Sequence, residues 1–302
     1  MENDIHIISK EEYSSHPLFA RLLELHKVPE RIYFRGTIPD ITVDDYGRLS
    51  PRILTIVGSR KYTPYGKQCL ERLCRELRGE NIIILSGLAY GIDIISHKEA
   101  IKNNLLTIAL PGSGLNDRVI YPQAHVSFAK EIIAHHGLLL SELDPNTRPN
   151  MWVFPSRNRI LACLSDAVLV IEAGEKSGTL ITARQALELG RDIGAIPGEI
   201  FSSTSKGTNM LIHEGAYAIT CGDDVLDLLH LSKKATSELE IQSYDECTPN
   251  EHIILKLLSQ TKEKDSLLIE SNLSLESFLS AFSSLEIKGY IEETFGEVRR
   301  LV

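Results

Sequence analysis

The chain has 302 residues, with 43% hydrophobic and 24% charged side chains and a formal net charge of −9 from 32 basic and 41 acidic residues. Such a composition supports a well-buried core and excludes extensive disorder. The acidic balance argues against a protein that coats polyanions at large, which would carry an excess of Lys and Arg, although a local basic groove can sit on an acidic body.

The opening MENDIHIISKEEYSSH lacks the basic start and long apolar core of a secretory signal. HPLFARLLELHK then has helical spacing, followed by Val28-Pro29, the apolar pair Ile32-Tyr33 and Gly36, so residues 1–50 read as a lead-in segment too short to bury a core of its own. From Pro51 apolar β-branched runs alternate with helical stretches. ILTIVG (53–58), IIILSG (82–87), LTIALPG (106–112), GLLLSE (137–142), AVLVIEA (167–173), IGAIPG (193–198) and AYAIT (216–220) are the strands. GKQCLERLCREL (66–77), HKEAIKN (97–103), FAKEIIAHH (128–136), NRILACL (158–164), TLITARQALELG (179–190) and TNMLIHEGA (208–216) are the helices between them. Continuous apolar strands alternating with helices predict a parallel sheet covered on both faces, so 51–228 is expected to be a Rossmann-like, doubly wound and mostly parallel α/β domain. Residues 229–248 are polar and aperiodic and read as a linker. In 249–302 the helical NEHIILKLLSQ, a charged break TKEKDS, the helical LSLESFLSAFSSLEIKGY and a hairpin around Glu293 to Gly296 suggest a small winged-helix domain.

None of the apolar runs approaches the roughly 20 residues of a membrane helix. The five cysteines form no CxxC pair, which weakens both disulfide and zinc readings, so a reduced, cytoplasmic protein with no cofactor and no metal is expected.

Several predicted strands end in glycine, and in such sheets ligands lie at the carboxyl ends of the strands. Gly58-Ser59-Arg60-Lys61 offers close backbone approach, a hydroxyl and a planar cation to a phosphate, but it also fits a simple strand-to-helix turn with a solvated basic pair. The dinucleotide fingerprint is absent: GSRKYT has no further glycine, and in PGSGLND the third glycine position is Asp117. The glycine-rich GLAYGID (87–93) adds a third loop at the same edge. Gly174 to Thr179 resembles a phosphate loop without Walker spacing; the N–H groups of Ser177, Gly178 and Thr179 and the hydroxyl of Thr182 suit an anion, and Ser177 or Thr179 equally suits a helix N-cap. Phe154-Pro155-Ser156-Arg157-Asn158-Arg159 follows Trp152 and combines aromatic faces with guanidinium groups, as single-stranded nucleic acid requires; the plainer alternative is core aromatics and solvated arginines. His135-His136 fits a helix end better than a metal site, and Glu172 is a candidate general base with no nucleophile in view.

Taken together, VGSR, SGLAYGID, LPGSGL, FPSRNR, VLVIEAGEKSGTLITARQALELGR and AIPG…KGTN…LI…GA follow the order and spacing of the DNA-processing protein DprA (Smf) family, which the chain resembles from about Glu12 onward. The helical N-terminal domain of many members is not evident. The resemblance implies a non-catalytic, homodimeric protein that binds single-stranded DNA, protects incoming strands and helps load the RecA recombinase during natural transformation. Carried onto this sequence, it implies a pocket of Gly58, Ser59, Arg60, Phe154, Ser156, Arg157, Asn158, Arg159, Ser177, Gly178 and Thr179, with Lys176, Thr182 and Lys206 as lesser contacts. Arg60, Arg157 and Arg159 would meet phosphates and Phe154 a base, while Asn158 and Arg159 could instead tie the segment to the sheet.

Residues 230–302 carry 8 basic and 13 acidic side chains, a net of −5, and the expected second helix there has only Lys288 as a base, so this module is expected to contact protein rather than read duplex DNA. Two other readings stay open: a Rossmann-like nucleotide-binding protein or nucleoside-monophosphate hydrolase, and an assembly scaffold that binds neither ligand.

Overall fold

The structure, a computed structural model, describes residues 4–150, 152–231, 247–258, 262–294 and 296–300. The chain divides into two units, residues 1–233 and 234–302. The first unit begins with β1 (His6–Ser9), α1 (Pro17–Ala20) between short 3-10 turns, β2 (Arg31–Gly36) and the small pair β3 (Thr42–Val43) and β4 (Leu49–Ser50). It continues through β5 (Arg52–Val57), α2 (Pro64–Glu76), β6 (Ile82–Ser86), α3 (Ile92–Lys102), β7 (Leu106–Ala109), α4 (Val126–Ala134) and β8 (Leu138–Ser141). Then come α5 (Val153–Leu164), β9 (Ala167–Val170), α6 (Gly178–Glu188), β10 (Asp192–Ala195), α7 (Lys206–His213), β11 (Tyr217–Ala218) and α8 (Gly222–Leu228).

Among the described residues, nine strands form one sheet in the order β1-β2-β8-β7-β6-β5-β9-β10-β11. Pairing is parallel from β8 through β11, while β2 runs antiparallel to β8 and β1 antiparallel to β2. This is the expected Rossmann-like, doubly wound and mostly parallel architecture. Alternation along each strand sorts the apolar side chains onto two faces. Leu54, Ile56, Ile82, Ile84 and Leu139 join one core, beneath Leu70, Leu73 and Cys74 of α2 and Ile132 of α4. Ile53, Ile83, Leu85, Leu138 and Leu140 join the other, with Ile160, Leu161 and Leu164 of α5. The continuous apolar runs of the sequence are therefore strands buried on both sides. Within α2 the buried residues fall at helical spacing, Pro64 fills the first turn, and Thr63 caps the end by accepting the Gly66 N–H at 3.1 Å.

Residues 1–50 are not a segment apart from this domain. β1 and β2 extend the sheet, and Tyr13, Leu18, Phe19, Leu22 and Leu25 belong to the same core as α5. Asp166 fastens them: its carboxylate accepts from Arg21 at 2.6 Å, from Arg52 at 3.1 Å and from the Ile53 N–H at 2.7 Å, with all three side chains nearly buried.

Two further elements depart from the sequence reading. Helix α5 begins at Val153, so all of FPSRNR is helical, five residues ahead of the start at Asn158 expected from sequence. Asn150 initiates that helix by accepting the N–H groups of Trp152 at 3.0 Å and Val153 at 3.2 Å, and Pro155 is tolerated because first-turn N–H groups have no partner in the helix. Helix α8 was not expected at all. Of the expected linker, residues 232–246 lie outside the described residues.

The second unit contains α9 (Pro249–Leu257), β12 (Lys262–Glu263), α10 (Lys264–Ser271), α11 (Leu275–Ile287), β13 (Ile291–Thr294) and β14 (Glu297–Arg300). Its sheet is antiparallel in the order β12-β14-β13. The charged stretch read as a break thus supplies a strand and the start of a helix. Ile254, Leu255, Leu267, Phe278, Phe282, Leu285 and Val298 form its core. Among the described residues no helix is long and apolar enough to cross a membrane.

Candidate functional site

Strand order reverses between β5 and β9, and the crevice at their carboxyl ends is the natural ligand position of such a sheet. Two turns meet there. The Gly58 carbonyl accepts the Thr179 hydroxyl at 3.2 Å, joining the turn after β5 to the start of α6. Ser59 closes its own turn, its hydroxyl donating to the Lys61 carbonyl at 2.8 Å and accepting the Lys61 N–H at 3.0 Å. Its carbonyl accepts the Ile92 N–H at 3.1 Å. That approach requires Gly91, whose φ is +83° and where a Cβ would lie 2.1 Å from the Ser59 oxygen.

Arg60 leaves this turn exposed, with its guanidinium carbon 5.0 Å from the centroid of the Phe154 ring. The ring is half-buried, pressed over Gly112, where a Cβ would come within 2.5 Å of it, and tilted against Tyr121 at 5.8 Å between centroids. Trp152, the single tryptophan, stands 81% exposed two residues before Phe154. The result is a pair of aromatic rings with an exposed cation set over one of them. Gly91 and Gly112, in the glycine-rich loops of the edge where the sequence places a ligand, make room for protein groups.

The arginines of α5 are used differently from that expectation. Arg157 is 6% exposed, and its Nη1 donates to the carbonyls of Gly87 at 2.8 Å and of Leu110, while Nε donates to Asn158 Oδ1 at 3.1 Å. It clamps the ends of β6 and β7 beneath Phe154, and burial pushes its pKa down to about 10 despite the nearby carboxylate of Asp93. We therefore assign Arg157 a positioning role and not a phosphate contact. Arg159 pairs with Glu142 and donates to the Lys27 carbonyl at 2.8 Å, and Ser156 donates to the same Glu142 at 3.1 Å, so both tie α5 to its surroundings.

At α6 the Ser177 hydroxyl accepts the Thr179 N–H at 3.2 Å, so the capping role holds. Gly178 is exposed and opens α6, where first-turn N–H groups have no partner within the helix. Lys176 and Lys206 are exposed on the same sheet edge. Thr182 is 1% exposed, which closes its hydroxyl to a strand. Glu172 is 3% exposed and already engaged, accepting the Thr63 N–H at 3.0 Å and the Thr63 hydroxyl at the start of α2, where helix polarity favours a carboxylate. His135 serves the end of α4, its Nδ1 2.9 Å from the Glu131 carbonyl.

Beneath the crevice lies a buried polar layer that sequence reading missed. Asp93 is 7% exposed and burial raises its carboxyl pKa, against the pull of Arg157. His97 is fully buried, Nδ1 2.6 Å from the Thr107 hydroxyl and Nε2 without a hydrogen-bond partner, and burial holds its pKa down at about 3. Because the unfolded state binds the His97 proton first, between the ordinary value near 6.5 and 3, stability rises with pH through that window and is lost on acidification. Moving from pH 7 to pH 5 is expected to cost about 2 kcal/mol through this group. Chemical denaturation of wild type and His97→Asn at both pH values checks it, the variant showing a smaller drop by that amount. The only sequence signal for this layer was the aspartate and histidine in GIDIISH, which helical spacing places on one face.

The chain matches the model of the DNA recombination-mediator protein A family over residues 4–230. It is 40% identical to DNA processing protein DprA of Bacillus subtilis over 208 residues, 69% of this chain and 67% of that protein. Protein Smf of Escherichia coli is 33% identical over 254 residues, 82% of this chain and 67% of that protein. Among solved structures, DNA processing protein A of Streptococcus pneumoniae superposes with a TM-score of 0.64 at 34% identity, covering 77% of this chain and 76% of that one. That of Helicobacter pylori, described for its single-stranded DNA binding mode, gives a TM-score of 0.61 at 30% identity, covering 76% of this chain and 98% of that one.

Proposed function

Because the chain belongs to the DNA recombination-mediator protein A family, we propose that it binds single-stranded DNA in the crevice between β5 and β9, without catalysing a reaction. The observation that carries this is the exposed Arg60 guanidinium set over the half-buried Phe154 ring at the switch point of the sheet. Such a pair offers a base its stacking face and a phosphate its cation. Gly178 and the exposed Lys176 and Lys206 extend the same edge, and the solved relative from Helicobacter pylori, described for single-stranded DNA binding, supports the assignment. Glu172, the candidate general base, is held by Thr63, which favours a binding protein over a hydrolase. Calorimetry with oligonucleotides and with mononucleotides separates the readings: binding of the oligonucleotide alone is expected, and tight mononucleotide binding would contradict it.

In this reading the protein shields incoming strands and hands them to the RecA recombinase during natural transformation, acting as a homodimer. Ile181 and Leu187 on α6 and Tyr217 on the edge strand β11 are exposed and suit a second copy. Sedimentation of a single monomeric species at micromolar concentration would overturn the dimer. Unchanged RecA filament assembly on strands coated by the protein would overturn the loading role.

The helix–strand–helix–helix–hairpin order of the second unit fits a winged helix, and its partner is a protein. Lys288 is committed to Glu251, at 2.9 and 3.0 Å from the two carboxylate oxygens. The exposed residues of α11 include Leu275, Glu276, Leu279, Glu286 and Ile287 and no base, which repels a DNA backbone. Residues 247–302 alone are expected to give no duplex shift at moderate salt, and a clear shift would reverse this assignment.

A further inference from the structure

Past β10 the chain makes a tight turn that the pocket described above does not use. The Ser202 N–H donates to the Glu199 carbonyl at 3.0 Å, which leaves Ile200 and Phe201 at the turn's centre. Both are bare: Ile200 is 77% and Phe201 91% exposed. The feet of the turn, by contrast, are fixed to three elements. Asn209 of α7 brackets Gly198, accepting its N–H at 3.1 Å and donating to its carbonyl at 3.0 Å. Tyr65 of α2 donates to the Pro197 carbonyl at 2.7 Å. The N–H of Ala173, just past β9, donates to the Thr204 carbonyl at 2.9 Å.

A single exposed apolar residue needs no explanation, but two adjacent ones on an anchored tip at the ligand edge of the sheet do. We propose that Phe201, flanked by Ile200, is a second base-stacking platform for the bound strand, at the far end of the crevice from Phe154. The proposal rests on the single-stranded DNA reading given above. Phe154 packs over Gly112 at the end of β7, and Phe201 follows β10, four strands along the sheet. At about 4.8 Å per step those strand ends are roughly 19 Å apart. Exposed Arg60, Lys176 and Lys206 leave the sheet edge between or beside them. A strand crossing the crevice would thus meet an aromatic face at each end and cations along the way, the arrangement that holds single strands without reading their sequence.

Charge gives this end little attraction, because Glu175 and Glu199 stand exposed beside Lys176 and Phe201. The contribution of Phe201 is therefore stacking, which releases no counterions. Fixed feet matter for the same reason: an aromatic with two side-chain torsions on an anchored turn loses little freedom when a base stacks on it. Nucleic acid is the occupant because the turn continues the edge that carries the pocket and lies against the Ala173–Gly174 backbone that leads into Lys176.

The test is fluorescence anisotropy of the full chain with oligo-dT of about 4 and about 16 nucleotides, the bounds of a single-strand site on one domain. Phe201→Ala is expected to weaken the longer strand about fivefold or more, to leave the shorter one unchanged, and to keep the salt slope of wild type. Phe201→Tyr is expected to restore the affinity. Since Phe201 is 91% exposed among the described residues, neither variant is expected to disturb the fold. Equal affinity of Phe201→Ala and wild type for the longer strand would overturn the platform. If Arg60→Ala still weakens both strands in that case, the pocket reading survives without it. Failure of the wild type to bind either strand would overturn both. Loss of affinity accompanied by conversion of a dimer to a monomer in sedimentation would assign Phe201 to a subunit interface and overturn the platform.

Discussion

Replacing Arg157 with alanine is expected to lower the melting temperature of the first unit by about 10 °C. The guanidinium supplies hydrogen bonds to the carbonyls of Gly87 and Leu110 at the ends of two adjacent strands, and it stands near the buried Asp93. Truncation strands these acceptors inside the protein, which costs about 3–5 kcal/mol for a buried group whose charged partner is removed. Lysine cannot replace it, because one ammonium on a flexible stem does not reproduce the planar fork that reaches both carbonyls and Asn158. Arg157→Lys is therefore expected to lose most of the same stability. Differential scanning calorimetry measures the shift. The salt dependence of DNA binding tests the role: a positioning residue leaves the slope of log K against log salt unchanged, whereas a phosphate contact reduces it by about one. A slope reduced in Arg157→Ala at a temperature where the variant remains folded would return this side chain to the phosphates.

Removing the ring of Phe154 is expected to weaken single-strand binding about 10- to 100-fold, and the lost packing of a half-buried ring to lower the melting temperature by about 5 °C. Stacking on an aromatic side chain contributes about 1–3 kcal/mol per base. Phe154 also carries the Arg60 guanidinium, 5.0 Å from its centroid, so its loss releases the cation that meets the phosphate. Arg60→Ala is expected to weaken binding less, by about tenfold, and to make the salt slope shallower by about one. The two substitutions act on groups in contact, so their effects should fall short of additive. A titration of the three variants across salt concentrations reads all of this, and equal affinities for wild type and Phe154→Ala would remove the ring from the pocket.

The parallel sheet was legible in the sequence because its strands are buried on both faces and so appear as unbroken apolar runs such as ILTIV and AVLVI. The crevice was legible for the related reason that strand ends are marked by glycine and followed by helix caps. The start of α5 was not, because Pro155 and the four polar residues after it hide the helical period, and Asn150, which initiates it, sits in a polar stretch like any loop. Nor does the sequence tell an arginine that faces solvent from one that clamps carbonyls. Arg60 and Arg157 look alike as residues, and only the meeting of β6, β7 and α5, distant along the chain, decides which is buried. The lead-in reads as too short for a core of its own, and which core it joins, the one of α5 fastened through Arg21 and Asp166, is decided by contacts distant along the chain. The net charge of −9 also changes meaning, since 8 basic and 13 acidic residues of 230–302 account for −5 of it. What remains is a nearly balanced body, with Arg60, Lys176 and Lys206 among the cations exposed at the carboxyl edge of the sheet.

The most direct test of a confined single-strand site is an anisotropy titration of one labelled sequence, offered as single strand and as duplex, against wild type and the Arg60→Ala/Phe154→Ala double variant. The structure predicts that wild type prefers the single strand by at least about tenfold and that the double variant loses that preference while staying folded. Equal affinity for duplex and single strand, unchanged in the double variant, would contradict it.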